Sequence, residues 1–397
     1  MARRTRGTSE THVSDRSIAS DVALISDRIR EAGALRTPLR ISGAGTWLDA
    51  GRPCRARETL TLAALHGIVR YEPGDFTLTA RAGTSLAEIE HVASAEGQWL
   101  TLDASGAREG TLGATVATGS AGPLASAFGT PRDHVLGCEF VSGTGDVVRA
   151  GGQVVKNVAG FDLVRLVTGA WGTLGALTEV TVRLRARPQV DRTLAIDVAG
   201  TTPASIADAC WRWLRQSEYT PLAAEAISPT LAARLGLGTA ACVVRVGGND
   251  SFVRAASDAA ASLGITRDVD VGIWRALSSA EPPGALTFRV STLPSRIGAV
   301  WARAMDFAER NGGYAHATLS RGVVRCVVPA PAADSSLENL RAGLSELASS
   351  ATVIGERLPA SLWDALSRVR SIDRTVDGIR RAFDPAGIMN VGILGGT

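Results

Sequence analysis

Between Gly151 and Leu184 the chain reads GGQVVKNVAGFDLVRLVTGAWGTLGALTEVTVRL, and no other stretch restricts the fold so tightly. Asp162–Thr168 is short and amphipathic, with Leu163, Leu166 and Val167 spaced for one helical face, and Leu177–Leu184 alternates as a strand. Gly169, Gly172 and Gly175 fall between them. A helix end is served by one glycine, whereas three so close together let the backbone approach something flat or charged. The same stretch holds Lys156, the only lysine in a chain with 42 lysines and arginines together. It reads either as a compact ammonium required at that place or as an ordinary solvated lysine.

Two other segments share this character. Pro38–Ile41 reads as a strand, and Ser42-Gly43-Ala44-Gly45-Thr46 as a turn whose successive N–H groups form a nest for phosphate or simply reverse the chain. A Rossmann loop would need a third glycine at position 48 and a helix after it; Leu48, Gly51 and Pro53 exclude that. From Gly110 to Gly122 the residues are almost all small, including Thr111, Leu112, Gly113, Thr118 and Gly119. Such a run leaves backbone amides uncovered, as a diphosphate requires. A small-residue helix under a sheet would account for Ala114–Ala117 but not for the flanking glycines. Around these loops lie an opening helix over 21–33, a strand Phe76–Ala82, a helix ending at Ala95 and capped by Ser85, and a hairpin of Val135–Ser142 with Val147–Ala150.

Lys156, Asn157, Gly160, Phe161, Asp162, Gly172, Thr173, Leu174, Gly175, Thr178 and Glu179 stand in the register of a known motif. With them the chain resembles the vanillyl-alcohol-oxidase-like (PCMH-type) FAD flavoproteins, and among these the E subunits of glycolate oxidase. The resemblance covers roughly residues 20 to 188. It implies an α+β protein with a two-part FAD-binding domain, an α+β cap bearing an antiparallel sheet, and a C-terminal segment that returns to the FAD domain. The expected division is a polar tail over 1–20, the FAD domain over 21–188, the cap over 189–370 and the returning segment over 371–397.

The implied cofactor is FAD. Its expected contacts are Ser42, Gly43, Ala44, Gly45, Thr46, Gly110, Thr111, Leu112, Gly113, Thr118, Gly119, Gly122, Gly172, Thr173, Gly175, Leu177 and Asn390. Binding is expected to be non-covalent, since no histidine lies in or beside the Ser42–Thr46 loop and Cys54 is its only reactive neighbour. Ala104, Ala114 and Val391 stand where such proteins commonly carry proline, glycine and proline.

The implied activity is oxidation of CH–OH groups by an FAD-binding subunit of a glycolate or D-lactate oxidising complex. Its expected partners are a second flavoprotein subunit and an iron–sulfur subunit. The alternatives are a free-standing FAD dehydrogenase of a hydroxy acid, alditol or aldonolactone, and a non-catalytic structural subunit. Substrate contacts are thinly signalled. Past Arg185–Gln189, strands are predicted at 193–198, 222–227, 241–246, 285–291 and 323–328, alternating with helices at 203–216, 251–263, 294–310 and 337–349. Arg289 points away from Phe288 and Val290, and reads as a carboxylate anchor or as a solvated arginine. His316 reads as a base or as a structural histidine, and Lys156 as a third polar candidate.

The five histidines are too scattered to pair as metal ligands, so no metal is expected. The five cysteines form no C-x-x-C, and hydrolase and kinase motifs are lacking. A net charge of +3 without a basic block excludes nucleic acid as an expected partner. No run approaches the roughly 18 apolar residues that span a bilayer. The expected location is therefore cytoplasmic, with contact to the inner membrane only through partners.

Overall fold

The computed structural model describes residues 15–106, 109–152, 162–331, 334–363, 366 and 374–395; Lys156, Asn157, Gly160 and Phe161 lie outside them. The first helix, Asp15–Leu35, begins within the stretch read as a tail and overruns Gly33. Its face of Ile25 and Ile29, with Val22 beside it, packs on Leu39, Val141, Ala176 and Met389, which sets the helix across one end of the molecule.

Behind it lies the predicted two-part arrangement. Leu39–Ser42 pairs in parallel with Glu58–Thr61, and Leu39 bridges to Met389 near the chain's end. A five-stranded antiparallel sheet follows, in the order Ile68–Glu72, Thr77–Arg81, Ala176–Arg183, Val135–Val141, Val147–Gly151. Its apolar positions Leu78, Phe140, Val180 and Val182 meet Ile89 of helix Leu86–Ala95 and Val116 of helix Leu112–Thr118. Both helices carry side-chain caps: Ser85 Oγ accepts from Glu88 N at 3.1 Å, and Thr111 Oγ1 from Ala114 N at 3.3 Å. The small-residue run is thus helical at its centre, with glycines outside it.

The second half is an eight-stranded sheet with antiparallel neighbours. Its order is Gly264–Val269, Val190–Val198, Cys242–Gly248, Ala223–Ile227, Tyr314–Thr318, Val323–Val328, Leu286–Ser291, Thr352–Arg357. Three strands escape the periodicity argument. The outermost two, Gly264–Val269 and Thr352–Arg357, are partly exposed edges with mixed composition, so neither alternates cleanly. Tyr314–Thr318 is buried on both faces and shows no alternation at all. One sheet face carries Phe288, Val290, Val324 and Ala315 against the helices Pro203–Gln216, Asp250–Ala260, Ile297–Arg310 and Asp334–Ser350. By the same alternation the opposite face receives Glu225, Arg289, His316 and Arg325.

Phe288 is 1% exposed and makes an edge contact with Phe307 at 5.7 Å between ring centroids. Phe288→Ala is expected to cost about 3–5 kcal/mol of unfolding free energy, read as a lower urea midpoint at unchanged slope.

Candidate cofactor site

Where strand Leu39–Ser42 ends, the chain leaves the sheet as the glycine loop. From Gly43 to Trp47 no backbone amide finds a protein acceptor among the described residues. Five consecutive free donors in a tight loop form a concavity suited to an anion. Gly43 is needed for its proximity: a Cβ there would fall onto the Thr111 hydroxyl, so the bare backbone of the first glycine segment packs on the Thr111 side chain of the second.

The second segment behaves differently from the reading of its composition. Leu112 N donates to Thr84 O and Gly113 N to Ala82 O, while Ala114 N is held by Thr111 Oγ1. The first donors of the helix Leu112–Thr118 are therefore satisfied within the fold. This segment contributes a smooth wall rather than a second amide nest.

The third wall is the turn after helix Leu163–Val167. Trp171 has φ 54°, and its N–H donates to Ala117 O at 2.8 Å, joining this turn to the small-residue helix. Asn390 then links the walls. Its Oδ1 accepts from Ile41 N at 2.7 Å, its Nδ2 donates to Trp171 O at 2.7 Å, and its own N–H donates to Leu39 O at 3.0 Å. At φ 45° its backbone is left-handed, a region asparagine tolerates better than most residues.

These segments line an open cleft. Of the expected contacts, Ser42, Gly43, Ala44, Gly45, Thr46, Thr111, Gly113, Thr118, Gly172, Gly175, Leu177 and Asn390 line it. Five do not. Leu112 is buried in the sheet-helix core, and Gly110 O accepts from Leu86 N. Gly119 caps its helix at φ 64°, Gly122 N donates to Asp103 Oδ1, and the Thr173 hydroxyl donates to Ala170 O at 2.7 Å.

Sequence reasoning passed over Trp47 and Trp171, whose rings are 6.3 Å apart on the cleft, and Arg40, a cation at its rim. The signal was available, since each tryptophan abuts a site glycine or threonine. Among the described residues no cysteine or histidine lines the cleft.

The cap is fastened to the loop. Arg357 lies over the Trp47 ring at 5.1 Å, donates to Thr46 O at 3.3 Å and pairs with Asp49 at 3.1 Å, while Gly51 N donates to Glu356 O at 2.7 Å. The cap candidates are also placed. Arg289 is paired with buried Glu356 at 2.6 Å, so its charge is already matched. His316 Nδ1 lies 2.6 Å from Glu225 Oε2. Neither residue lines the cleft.

Asp103 bridges the loop after Thr101 to the end of the small-residue run, accepting from Gly122 N at 3.1 Å and Leu124 N at 2.7 Å. Burial pushes its carboxyl up to about 7, against the pull of those two amides.

The amino-terminal part, residues 18–151, matches a family model described as an FAD binding domain. The chain is similar to glycolate oxidase subunit GlcE of Escherichia coli (strain K12), 38% identical over 174 residues, 44% of this chain and 49% of that protein. It is 32% identical to glycolate oxidase subunit GlcD of Bacillus subtilis (strain 168) over 177 residues, 43% of this chain and 38% of that one. The chain thus spans half or less of the length of these relatives. A solved structure of 4-ethylphenol oxidase from Gulosibacter chungangensis has the same fold, with a TM-score of 0.73 over 94% of this chain and 87% of that one at 16% identity.

Two consequences are measurable. Gly43→Ala is expected to reduce retained flavin on the order of tenfold, because the added methyl displaces the loop from Thr111; absorbance of the purified variant reads this. A carboxyl raised from 3.8 to about 7 favours the fold when protonated, so its contribution is complete below about pH 4 and is lost as pH rises toward 7. Asp103→Asn is expected to flatten this loss by on the order of 1–3 kcal/mol between pH 5 and pH 8, seen by thermal unfolding at both values.

Proposed function

We propose that this chain is an FAD-linked flavoprotein of the vanillyl-alcohol-oxidase-like type and that it oxidises the CH–OH group of a small 2-hydroxy acid, glycolate or D-lactate, as the FAD-binding subunit of a larger complex. The observation that carries the reading is the run of five unsatisfied amides at Gly43–Trp47, facing a cleft walled by two tryptophans. A diphosphate fits the donors, and a flat ring system fits the aromatic walls.

In this reading residues 21–188 and 371–397 build the FAD domain and residues 189–370 the cap. Ser42–Thr46 hold the diphosphate, and Thr111, Gly113 and Thr118 flank it. Gly172, Gly175, Leu177 and Asn390 shape the inner end. FAD, when bound, supplies the acceptor for the substrate's electrons. It is held non-covalently, which the cysteine- and histidine-free lining favours.

The partners are a second flavoprotein subunit and an iron–sulfur subunit that carries electrons onward. The subunit names of the glycolate oxidase relatives support a multi-subunit assembly. Among the described residues no helix is long and apolar enough to cross a membrane. We place the chain in the cytoplasm, reaching the inner membrane face through these partners. A free-standing FAD dehydrogenase is the second reading, favoured by the polar groups that the cap sheet turns toward the FAD domain.

The test is to recover the tagged chain from its own cells and expose it anaerobically to glycolate and to D-lactate. Co-purifying flavoprotein and iron–sulfur subunits, with flavin bleached by one of the two acids, are the expected result. An isolated chain whose flavin is bleached by neither acid would contradict it, and an isolated chain that is bleached would establish the second reading.

A further inference from the structure

The cap sheet presents a charged row on the face opposite its helices. His316 and Arg325 are register partners, as are Arg325 and Arg289, so the three side chains cross adjacent strands side by side. Most of the positive charge here is matched. Arg325 pairs with Glu281 at 2.5 Å and with Glu356, Arg289 with Glu356, and Arg357 with Glu281 at 2.9 Å.

Arg321 differs. It ends the turn Leu319–Arg321 between strands Tyr314–Thr318 and Val323–Val328, is half-buried, and has no hydrogen bond or ion pair among the described residues. Burial and the like charge of Arg289 disfavour its cation; the carboxylates of Asp103, Asp133 and Glu225 act in its favour without forming an ion pair with it, and the balance lies against the cation. Removing a guanidinium from water without a partner is costly, and such a group calls for an anion. The turn is held firmly. Gly322 is left-handed at φ 64°, and Ser320 Oγ meets Ser126 Oγ of the FAD domain at 2.9 Å. Helix Ala125–Phe128 of that domain packs on strand Ala223–Ile227, so the row lies at the seam between the two halves.

His316 is the second element. Glu225 is fully buried, and one of its oxygens takes His316 Nδ1 while the other has no partner. A carboxylate on Nδ1 fixes that nitrogen as the N–H, which leaves Nε2 with its lone pair. Nε2 has no partner among the described residues. Glu225 is the register partner of Thr318, which places it at the strand end that enters the Arg321 turn. An imidazole nitrogen without a partner, on the face and toward the sheet end that carry an arginine with no ion pair among the described residues, is suited to a polar ligand.

The geometry points to a site for a small 2-hydroxy carboxylate at this seam, with Arg321 binding the carboxylate and His316 Nε2, held by Glu225, accepting the hydrogen bond of the 2-hydroxyl. This rests on the oxidoreductase reading and names its substrate contacts. It also replaces Arg289 by Arg321 as carboxylate anchor, because Arg289 is already committed to Glu356.

Calorimetric titration of the full chain with D-lactate, propionate and sulfate tests the assignment, with flavin content measured on every sample. D-lactate should bind more tightly than propionate, which lacks the hydroxyl, and more tightly than sulfate. Arg321→Gln should weaken D-lactate by about tenfold or more, and Arg321→Lys by less. Glu225→Gln should bring D-lactate down to the level of propionate while leaving propionate unchanged. Flavin-replete Arg321 variants that bind D-lactate like the parent would overturn the site and leave the FAD reading intact, as would a flavin-replete parent that binds D-lactate no better than sulfate. A parent that takes up no flavin removes the premise and overturns both.

Discussion

One buried amide holds the candidate site together. Asn390 spends its side chain on Ile41 N and Trp171 O and its backbone N–H on Leu39 O, so a turn near the end of the described chain fixes the entry to the first glycine loop and the third wall of the cleft at once. The donors and acceptors it satisfies lie in segments far apart in sequence, and each would cost about 1–3 kcal/mol if left buried and unpaired. The turn that presents Asn390 is itself pinned, since Asp384 accepts from Ile388 N at 3.1 Å and Met389 N at 2.8 Å. The free amides of Gly43–Trp47 depend on this arrangement. A loop with unsatisfied donors stays open only if its ends are fixed elsewhere.

The cap adds a second constraint through charge. Arg325 is enclosed with Glu281 and Glu356; burial opposes its cation, but the two carboxylates outweigh that and raise its pKa. Arg325 in turn holds Glu356 below the usual carboxylate range despite burial. Pairs of this kind contribute little net stability, because desolvation offsets most of the attraction, yet they penalise every arrangement that separates them. Here they fix the edge strand Thr352–Arg357, whose Arg357 reaches Trp47 and Thr46. The site loop is thereby positioned from both sides, by an amide within the FAD domain and by a charge network in the cap. Against that neutralised network, the unpaired Arg321 stands out as a charge kept for something else.

Much of this was legible in sequence, for reasons that are local. Three loops that need bare backbone must be written in glycine and small residues, so the runs at 42–46, 110–122 and 169–175 announce themselves, and helix Pro203–Gln216 and strand Val323–Val328 follow from their periodicity. What stayed hidden depends on partners remote in sequence. Composition could not reveal that Thr84 and Ala82 consume the first donors of helix Leu112–Thr118, or that Leu112 turns into the core. It could not show that His316 meets Glu225, 91 residues away, or that Glu356 takes up Arg289. Edge strands failed for a different reason: they carry polar and apolar residues in an order that does not alternate.

In the proposed reading the Gly43–Trp47 amides and the two tryptophans hold FAD without a covalent bond. The most direct measurement is acid precipitation of the purified chain, with flavin quantified in the supernatant and in the pellet. The expected result is a yellow protein that releases flavin to the supernatant in amounts equimolar with the chain. A colourless chain that takes up no added FAD would contradict the assignment of the cleft, and flavin retained in the pellet would contradict its non-covalent attachment.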